Sequence, residues 1–442
     1  MFGTSVVRGL YGMEVNEELA LTVANIFADK DVAIGMDTRK TAPSLMHAAC
    51  AGILARGKNA IALGIVPTPT VALATKKYHC HGIMITASHN PEEYTGIKLM
   101  ADGIEISRAW EEKISAKLRS QKFKTGLKLA EWDKVGKMTY DNNIITNHIE
   151  FIKKQIDCKA IVEKKPKIII DCNGAGTVIT PKLLSGLGCE VISINDSLNC
   201  FSRASEPCEA NLSQLVETVC KHGADIGIAH DGDADRAVAV DESGKVLSLD
   251  SQLAIMIEHE MQKESGNKKI ISTMEASLII RETVARAGGK ITITPVGSLY
   301  VAESLDRKNA LFGGEPCGEY LFRNGLRVPD GPLTAAKLVE IFVKKGKLSM
   351  LAAKFKNYPM AREKFRSERK YETVESVKKE IKTKGKINDE DGIRVDEEDG
   401  WFLIRASGTE PFVRLTMEYK TREKLEQRKE ELAEIIKKKI SK

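Results

Sequence analysis

The sequence lacks the features of a secreted or membrane-spanning protein. No run approaches the roughly 18 to 20 uninterrupted apolar residues that a membrane helix needs. Met1 to Thr4 contain neither the basic nor the apolar segment of a secretory signal. The nine cysteines form no CxxC pair and no zinc-type spacing, and their number is odd. We therefore expect a cytoplasmic protein with reduced thiols and no membrane partner.

Aromatic residues and clustered basic residues are also scarce. Phe, Trp and Tyr make up 5% of the chain, and the net charge of +6 is spread along 442 residues. A nucleic-acid surface usually combines a basic patch with aromatic side chains on which bases stack. The Lys-rich end of the chain is more typical of a solvated helix terminus. We expect no nucleic-acid partner.

The length, in contrast, exceeds that of a single ordinary domain. Short apolar runs alternate with helical patterns, which indicates crossover units and largely parallel sheets. The pattern occurs three times, so we predict three related α/β domains with mixed, mostly parallel sheets, followed by a smaller C-terminal α+β domain. The predicted domains are residues 1–150, 151–248, 249–362 and 363–442, with boundaries near the polar stretches 140–165 and 248 and the basic segment 356–370.

The predicted elements place their loops at one edge of each sheet. Predicted strands are 32–36, 60–63, 82–85, 167–171, 190–194, 225–229, 269–273, 291–294, 401–405 and 413–419. Predicted helices are 44–56, 71–77, 180–187, 212–221, 251–261, 278–287, 299–306 and 421–439. Right-handed crossovers bring the carboxyl ends of parallel strands to one edge, where ligands usually bind.

The first candidate loop is Thr86-Ala87-Ser88-His89-Asn90-Pro91, directly after the strand 82–85. Its small residues and proline favour a tight turn that presents Ser88 at the edge of the sheet. A serine hydroxyl is a weak nucleophile and needs an adjacent base or a metal. His89 is a candidate base, although we expect neighbouring side chains to point apart. The absence of a Gly-x-Ser-x-Gly elbow argues against an acyl hydrolase, and a capped turn without chemistry is the alternative.

The second loop, Asp231-Gly232-Asp233-Ala234-Asp235-Arg236, follows the strand 225–229. Carboxylates at alternating positions converge on one hard cation if the loop curls, and Mg²⁺ prefers such oxygen ligands. A calcium loop is the rival, because Glu242 is twelfth from Asp231. The sixth position is Arg236 rather than glycine, however, and the next residues are typical of a strand. We favour magnesium over calcium and over a structural acidic turn.

Two further loops are weaker signals alone. In 313–319, glycines flank Glu315 and Glu319, whose carboxylates suit sugar hydroxyls. In 405–411, an arginine, two hydroxyls and Gly408 suit a phosphate. Together, the four loops supply a nucleophile, ligands for a divalent cation, a sugar-binding site and an anion site. Each predicted domain contributes one of the four loops. This combination predicts phosphoryl transfer on a sugar phosphate in a central cleft between domains.

The set of loops resembles the α-D-phosphohexomutase family, which includes phosphoglucomutases, phosphomannomutases and phosphoglucosamine mutases. The resemblance covers essentially the whole chain. Segments 86–91, 231–236, 314–319 and 405–411 are similar to the family's phosphoserine, magnesium, sugar and phosphate loops. Segment 2–9, with Arg8, resembles its N-terminal loop, and 94–98 resembles its lysine-bearing segment.

The resemblance implies an isomerase that moves a phosphoryl group within a sugar phosphate, through phosphorylated Ser88 and a bound bisphosphate. It implies one Mg²⁺ per active site, a sugar bisphosphate as activator and intermediate, a hexose or hexosamine phosphate substrate, and a monomer or homodimer. Implied catalytic residues are Ser88, His89, Lys98, Arg8 and Arg236, with His89 or Lys98 as general acid/base. Implied metal ligands are Ser88, Asp231, Asp233 and Asp235. Implied substrate contacts are Glu315, Cys317, Glu319, Thr294, Gly297, Arg405, Ser407, Gly408, Thr409 and Arg414.

Departures from the family pattern bear on the substrate. Cys317 occupies a position where serine is common, Glu319 one where many members carry histidine, and Val6 one where glycine is usual. Segment 273–277 lacks the lysine of some glucose- and mannose-type members, and 294–301 is closer to the phosphoglucosamine mutase branch. We expect interconversion of glucosamine 6-phosphate and glucosamine 1-phosphate. Phosphomannomutase and phosphoglucomutase activities remain alternatives, and a pentose phosphate is a further one.

Two other classes of function remain open. A sugar phosphatase would hydrolyse the phosphoserine with water, but the paired sugar and phosphate loops argue against it. A non-catalytic sugar-phosphate sensor predicts loss of the nucleophile or of a metal carboxylate, and neither has been lost.

Overall fold

The computed structural model describes residues 6–120, 126–407 and 411–440. The chain divides into two compact units. The first contains Met1–Gln252 and Cys317–Ala352, and the second contains Leu253–Pro316 and Ala353–Lys442. The chain passes from the first unit to the second within helix α9 (Leu249–Gln262).

The larger sheet of the first unit is mixed. Its strands are β1 (Val6–Leu10), β2 (Val32–Met36), β3 (Ala60–Ile65), β4 (His81–Ile85), β5 (Tyr94–Ala101), β6 (Ile104–Glu105) and β7 (Met138–Tyr140). The strand order is β1-β5-β4-β2-β3-β7, with β6 on β5. Strands β4, β2, β3 and β7 are parallel, whereas β5 is antiparallel to both β1 and β4. The accompanying helices are α1 (Glu17–Phe27), α2 (Ala42–Ala55), α3 (Thr68–Tyr78), α4 (Arg108–Ser120), α5 (Ile144–Lys153) and α6 (Cys158–Lys164).

A four-stranded sheet follows in the same unit. Its strands are β8 (Lys167–Asp171), β9 (Glu190–Ile194), β10 (Ile226–Ala229) and β11 (Val238–Val240), and its helices are α7 (Thr180–Gly186) and α8 (Ser213–His222). The order is β11-β10-β8-β9, with only the β10–β11 pair antiparallel. The unit also contains β15 (Tyr320–Phe322), α12 (Gly331–Lys345) and α13 (Leu348–Ala352).

Burial explains why these segments are strands and helices. Val32, Ala33 and Ile34 in β2 are all fully buried, as expected for a parallel strand covered by helices on both faces. Helix α1 begins where the Asn16 side chain accepts a hydrogen bond from the Leu19 amide at 2.9 Å. Asp330 caps α12 in the same way, through the Leu333 amide at 3.0 Å.

The second unit contains one set of parallel strands and one antiparallel sheet. Strands β12 (Lys269–Thr273), β13 (Lys290–Thr294) and β14 (Phe312–Gly314) are parallel with β12 in the middle, and they accompany α10 (Leu278–Arg286) and α11 (Ser298–Lys308). The C-terminal sheet has the order β16-β20-β19-β18-β17 and is antiparallel throughout. Its elements are β16 (Met360–Arg366), β17 (Lys386–Asn388), β18 (Ile393–Asp396), β19 (Gly400–Ala406), β20 (Phe412–Tyr419), α14 (Lys370–Lys378) and α15 (Arg422–Ile440).

The two faces of strand β19 bury different cores. Phe402 and Ile404 pack with residues of α14 and α15 in one hydrophobic cluster. Trp401 and Leu403 belong to another cluster, which contains Met274. This is the period of two expected for a strand between two apolar layers.

The predicted fold class is confirmed: α/β units with mixed, mostly parallel sheets precede an antiparallel sheet with its helices. Each of the ten strands predicted above is present in the structure within two residues at either end, and strands 32–36, 167–171, 190–194 and 269–273 match in both bounds. Two stretches predicted to be polar connections contain regular structure. Helices α5 and α6 lie within 140–165, and β16 lies within 356–370. No described helix combines the length and apolar character required to cross a bilayer.

Replacing Leu432 with alanine is expected to destabilise the C-terminal core. Leu432 in α15 is 1% exposed and packs in the cluster with Phe402 and Ile404. The lost burial and the resulting cavity should lower the free energy of unfolding by about 2–5 kcal/mol. Urea unfolding checks this, and Glu434→Ala, at an exposed position of the same helix, should change it by less than about 0.5 kcal/mol. Equal effects of the two variants would contradict the packing described.

Candidate active site

Ser88 lies in the loop after β4, and its hydroxyl faces the acidic loop after β10. Ser88 is buried and has a left-handed backbone conformation with φ of 49°. Its Oγ donates a hydrogen bond of 2.7 Å to Oδ2 of Asp231, although 143 positions separate the two residues in the chain. The structure therefore brings together the predicted nucleophile and the first predicted metal ligand.

The three aspartates of the acidic loop form one buried cluster. Carboxylate oxygens of Asp231, Asp233 and Asp235 lie within 4.8 Å of one another. Burial, followed by the charges of Asp235 and Asp233, raises the pKa of Asp231 well above its usual range. Burial and the charge of Asp233 raise the pKa of Asp235 to about 7. Placing three acids together away from water is unfavourable unless a cation compensates their charge.

The donor set of this cluster fits a magnesium ion. Within the described ranges, the Oδ1 atoms of Asp233 and Asp235 are buried without a hydrogen-bond partner. Such orphaned carboxylate oxygens are unfavourable in a protein interior, and a hard divalent cation satisfies them. Three carboxylates and one hydroxyl leave room in an octahedral shell for a phosphate oxygen or water. The group therefore has the chemistry of a magnesium site.

Thr68, at the start of α3, positions the middle aspartate. Its Oγ1 donates to Oδ2 of Asp233 at 2.5 Å, and its amide donates to the Asp233 carbonyl at 2.9 Å. The N-terminus of a helix is favourable for a carboxylate because its amides point outward. This contact has no signature in the sequence, because 165 positions separate the two residues.

Lys98 lies on β5 among carboxylates of the same site. Its Nζ is 3.1 Å from Oδ2 of Asp235, 3.4 Å from Oε1 of Glu105 and 3.7 Å from Oδ2 of Asp233. Burial opposes the charge of Lys98, but these three carboxylates outweigh it and raise the pKa of the ammonium well above its usual range. Lys98 is therefore a buried cation held against two of the three clustered aspartates.

Arg236 ends the acidic loop and forms ion pairs on two sides. Its guanidinium lies 3.0 Å from Oε1 of Glu319 and 3.1 Å from Oε1 of Glu206. Its amide donates to Oδ1 of Asp231 at 3.2 Å, and an isolated antiparallel bridge links its backbone to Glu319. Glu319 thus faces a guanidinium that compensates its charge. Glu206 was not among the predicted site residues.

Arg8 on β1 also reaches this region of the first unit. Its Nη1 donates to Oδ1 of Asn90, in the phosphoserine-type loop, at 2.7 Å. Burial lowers the pKa of Arg8, while Asp233 and Asp235 act in the opposite direction. The register explains the placement, because Arg8 lies opposite Gly96 on β5, two positions from Lys98.

The orientation expected for His89 is wrong. The sequence argument was that neighbouring side chains point apart, yet His89 Nδ1 lies 3.3 Å from Ser88 Oγ. The left-handed conformation of Ser88 is the physical reason, because it bends the chain between the two residues. Burial and the charges of Arg236 and Arg8 lower the pKa of His89 to about 2, so the imidazole is neutral.

Arg39 is an arginine that the sequence argument missed. It follows β2 and is 1% exposed, and its side chain contacts the backbone of the loop that carries Ser88. The order of the strands offers a signal for Arg39. Asp37-Thr38-Arg39 follows β2, which pairs in parallel with β4, so the loops after these two strands leave the same edge of the sheet.

The remaining predicted residues of the sugar loop are divided between the two units. Cys317 and Glu319 belong to the first unit, where the amide of Ala237 donates to the Gly318 carbonyl at 3.3 Å. In the second unit, buried Glu315 accepts a hydrogen bond of 3.1 Å from the Gly297 amide. Thr294 ends β13 and donates to the Pro295 carbonyl at 3.0 Å. Glu315 and Gly297 are thus in contact. Thr294 precedes Gly297 by three residues in the chain.

The phosphate-type loop brings two arginines together in the second unit. Arg405 on β19 and Arg414 on β20 are directly opposite in the strand register. Two like charges in such a pair repel each other, and a bound anion would relieve this repulsion. Arg405 also lies 3.1 Å from Asp391 and 3.8 Å from Glu275. These contacts position its guanidinium.

Ser407 is buried, and its amide donates to the Phe412 carbonyl at 2.9 Å. This hydrogen bond joins the residue after β19 to the first residue of β20. The Ser407 carbonyl accepts a hydrogen bond of 2.6 Å from Lys370 Nζ. Gly408 and Thr409, the other two residues predicted for this loop, lie outside the described residues.

Comparison with protein families gives one answer for the whole chain. Models for the phosphoglucomutase/phosphomannomutase family match in order: α/β/α domain I at residues 1–125, domain II at 146–244, domain III at 249–358 and the C-terminal domain at 357–435. The chain belongs to the phosphoglucomutase/phosphomannomutase family. It is therefore a phosphohexomutase, an isomerase that transfers a phosphoryl group within a sugar phosphate, and the resemblance inferred from the sequence is confirmed.

Full-length relatives support this assignment. The "probable phosphoglucosamine mutase" of Methanosarcina barkeri is 41% identical over 426 residues, which cover 95% of each chain. The protein of the same name from Methanosarcina acetivorans is 41% identical over 445 residues, covering 99% of each chain. Among solved structures, a phosphoglucomutase/phosphomannomutase family protein from Burkholderia thailandensis has a TM-score of 0.85 at 24% identity and covers 98% of this chain and 96% of its own. This last similarity shows the shared fold.

Magnesium is expected to stabilise the protein through the aspartate cluster. At a concentration 100 times its Kd, Mg²⁺ should add about 2.7 kcal/mol to the free energy of unfolding, and a chelator should remove this gain. Thermal denaturation with and without Mg²⁺ measures it.

The Asp233→Asn variant should lose most of this stabilisation, because a carboxylate of the cluster is gone. Asp196→Asn, at an exposed position, should keep it. An unchanged response to Mg²⁺ in Asp233→Asn would show that the ion binds elsewhere.

Proposed function

We propose that the protein is a phosphoglucosamine mutase that interconverts glucosamine 6-phosphate and glucosamine 1-phosphate through a phosphorylated Ser88. The observation that carries the proposed chemistry is the 2.7 Å contact between Ser88 Oγ and Asp231. The Ser88 hydroxyl faces the aspartate cluster, and this supports a role beside the proposed cation. The names of the two Methanosarcina relatives support the choice of sugar.

In the proposed reaction, phosphorylated Ser88 donates its phosphoryl group to the free hydroxyl of a sugar monophosphate. The phosphorus–oxygen bond to Ser88 breaks while a new bond to the sugar oxygen forms, and the proton of the sugar hydroxyl passes to a base. The product is a sugar bisphosphate. After the bisphosphate turns over in the site, its other phosphoryl group returns to Ser88, the base gives its proton to the sugar oxygen that loses this group, and the isomeric monophosphate leaves.

The proposed electrostatic roles follow the contacts of the first unit. Asp231, Asp233 and Asp235, with an oxygen on Ser88, would hold one Mg²⁺, which supplies neutralisation of the phosphoryl charge. Arg236 and Arg8 would bind the oxygens of the same phosphoryl group. Each carries a guanidinium, which stays charged in proteins, and they add to the positive charge of Lys98 beside the aspartates.

Two residues are candidates for the base, and their surroundings differ. His89 is neutral, and its Nδ1 lies 3.3 Å from Ser88 Oγ, within reach of the reacting oxygen. Lys98 is held by Asp235, Glu105 and Asp233 at 3.1–3.7 Å, which favours its protonated form. Lys98 is therefore suited to donate a proton or to hold charge. His89 offers an unprotonated nitrogen, but its lowered pKa makes it a weak base.

The proposed substrate contacts belong to the predicted phosphate and sugar loops and to the segment 294–297. Arg405, Arg414, Ser407, Gly408 and Thr409 would bind the phosphate that does not react. Glu315, Glu319, Cys317, Thr294 and Gly297 would contact the sugar. Glu319 is paired with Arg236 at 3.0 Å, so its carboxylate already has a positively charged partner. Glu315 is buried and accepts a hydrogen bond of 3.1 Å from the Gly297 amide, so its carboxylate is held as an acceptor for an ammonium or hydroxyl group.

We further propose the domain division 1–150, 151–248, 249–362 and 363–442, a monomer or homodimer, and a cytoplasmic location. The nine cysteines, all within the described residues, are free thiols. Free thiols in this number are typical of a reducing compartment. The sugar bisphosphate is the proposed activator as well as the intermediate.

The Ser88→Ala variant should lose both the phosphorylation and the isomerase activity. Intact mass should show wild-type protein carrying one phosphate, about 80 Da above the unmodified chain, after treatment with a sugar bisphosphate. The variant should show no such species, because it has no oxygen at the reacting position. Ser185→Ala, at an exposed position of α7, should behave like the wild type. Full isomerase activity in Ser88→Ala would overturn the proposed nucleophile.

The choice of substrate is tested by kcat/KM for the 1-phosphates of glucosamine, glucose and mannose with phosphorylated enzyme. Glucosamine 1-phosphate should be preferred by at least about tenfold, because a buried acid such as Glu315 stabilises its ammonium group and leaves a poorer contact with a hydroxyl. A preference for glucose or mannose would assign the protein to the alternative mutase activities. Release of inorganic phosphate in place of the isomer would indicate a phosphatase.

A further inference from the structure

The loop that carries Ser88 turns its backbone carbonyls toward one guanidinium. Nη2 of Arg39 donates to the carbonyls of Ser88 and Asn90, both at 2.8 Å. Nη1 donates to the carbonyls of Pro91 at 2.6 Å and Tyr94 at 3.0 Å. A single buried side chain therefore determines the path of the chain from Ser88 to Tyr94.

Arg39 is itself fixed in place. Its Nε donates to Oδ2 of Asp37 at 3.1 Å, and its amide donates to Oδ1 of the same carboxylate at 2.9 Å. The ring of Phe201 lies 4.9 Å from the guanidinium carbon. A guanidinium has five N–H groups, and each of them has an acceptor within the protein here. No donor of Arg39 remains for a phosphate oxygen.

Asp37 also controls the amide of Ser88. Thr86 Oγ1 donates to Oδ2 of Asp37 at 2.8 Å and accepts from the Ser88 amide at 2.8 Å. The amide and the carbonyl of Ser88 are thus both bound to the Asp37–Arg39 pair, one through Thr86 and one directly. This explains how Ser88 keeps a φ of 49°, which residues with a side chain rarely adopt.

Ser205 ties the same carbonyl to the acidic loop. Its Oγ donates to the Ser88 carbonyl at 2.7 Å and accepts from the Gly232 amide at 3.0 Å. A Cβ at Gly232 would lie 2.9 Å from both Ser205 Oγ and the Ser88 carbonyl oxygen, so the two loops approach as closely as a glycine permits. One hydroxyl therefore fixes the distance between the nucleophile and the residue after Asp231.

We propose that Arg39 and Ser205 are positioning residues for phosphoryl transfer: by binding the carbonyl of Ser88, they hold its Oγ at the aspartate cluster without touching the phosphoryl group. The proposal rests on the proposed function, since it takes Ser88 as the nucleophile. The role of Arg39 and Ser205 thus differs from that of Arg8 and Arg236, which are proposed to bind phosphoryl oxygens. A nucleophile displaced by about 1 Å from its productive position loses about 100-fold in rate.

The test uses the full-length enzyme with Arg39→Lys and Ser205→Ala. Lysine keeps the charge but loses the planar fork of five donors. In Arg39→Lys, kcat and the rate of Ser88 phosphorylation by a sugar bisphosphate should both fall by about 100-fold, while KM stays within about twofold. In Ser205→Ala, which removes one hydrogen bond, both rates should fall by about tenfold. Magnesium affinity should be retained in both variants, because no carboxylate has changed.

Arg428→Lys is the matched control for a buried arginine. Arg428 belongs to α15 in the second unit and donates to Tyr419, Glu397 and Glu431. It should lose stability while keeping the wild-type kcat and the wild-type rate of Ser88 phosphorylation. This separates a general effect of replacing a buried arginine from an effect on the nucleophile.

The outcomes distinguish failure of the positioning role from failure of the proposed nucleophile. Wild-type transfer rates in Arg39→Lys or Ser205→Ala would overturn the positioning role, and so would an increase in KM with unchanged kcat, which would make Arg39 a substrate ligand. If Arg39→Lys does not fold, the phosphorylation rate of Ser205→Ala decides alone. A wild-type enzyme that takes no phosphate from a bisphosphate would instead overturn the proposed nucleophile itself.

Discussion

The site in the first unit depends on one electrostatic constraint: three carboxylates lie together in the protein interior. Carboxylate oxygens of Asp231, Asp233 and Asp235 lie within 4.8 Å of one another and are buried. Their mutual repulsion is strong at low dielectric, so the surrounding structure must supply positive charge and hydrogen-bond donors. Lys98 supplies the charge and the Thr68 hydroxyl a hydrogen-bond donor. The neighbouring groups are thus consequences of the cluster.

The same constraint explains the position of Ser88, the proposed nucleophile. A serine hydroxyl next to an acid donates its hydrogen bond to that acid, as Ser88 does to Asp231 at 2.7 Å. When a cation occupies the cluster, the serine oxygen becomes one of the nearby oxygen atoms that can face it. Phosphorylation of Ser88 would bring additional negative charge to the same place, which is acceptable only because Arg236 and Arg8 lie on the same unit. Charge balance therefore links the acidic loop, the serine and the arginines.

Much of this arrangement could be predicted from the sequence, and the reason is topological. Apolar runs identify parallel strands, parallel strands end at one edge, and Ser88 and Asp231 each follow such an end. The contacts of Arg39 and Ser205 could not be predicted, because they are made to backbone carbonyls whose direction depends on the left-handed turn at Ser88. The orientation of His89 was predicted wrongly for the same reason. Loop backbone geometry has no periodic signature in the sequence.

In the second unit, the like charges that lie close together are positive rather than negative. Arg405 and Arg414 are opposite each other on paired strands, an arrangement that is unfavourable without a partner of opposite sign. Asp391 and Glu275 lie 3.1 and 3.8 Å from Arg405 and compensate part of this repulsion. A doubly charged phosphate, the proposed ligand of the phosphate-type loop, would compensate more of it, whichever carbon of the sugar bears the phosphate. A mutase must bind its sugar in two orientations. The reaction therefore requires strong contacts with the phosphate and weaker contacts with the sugar ring.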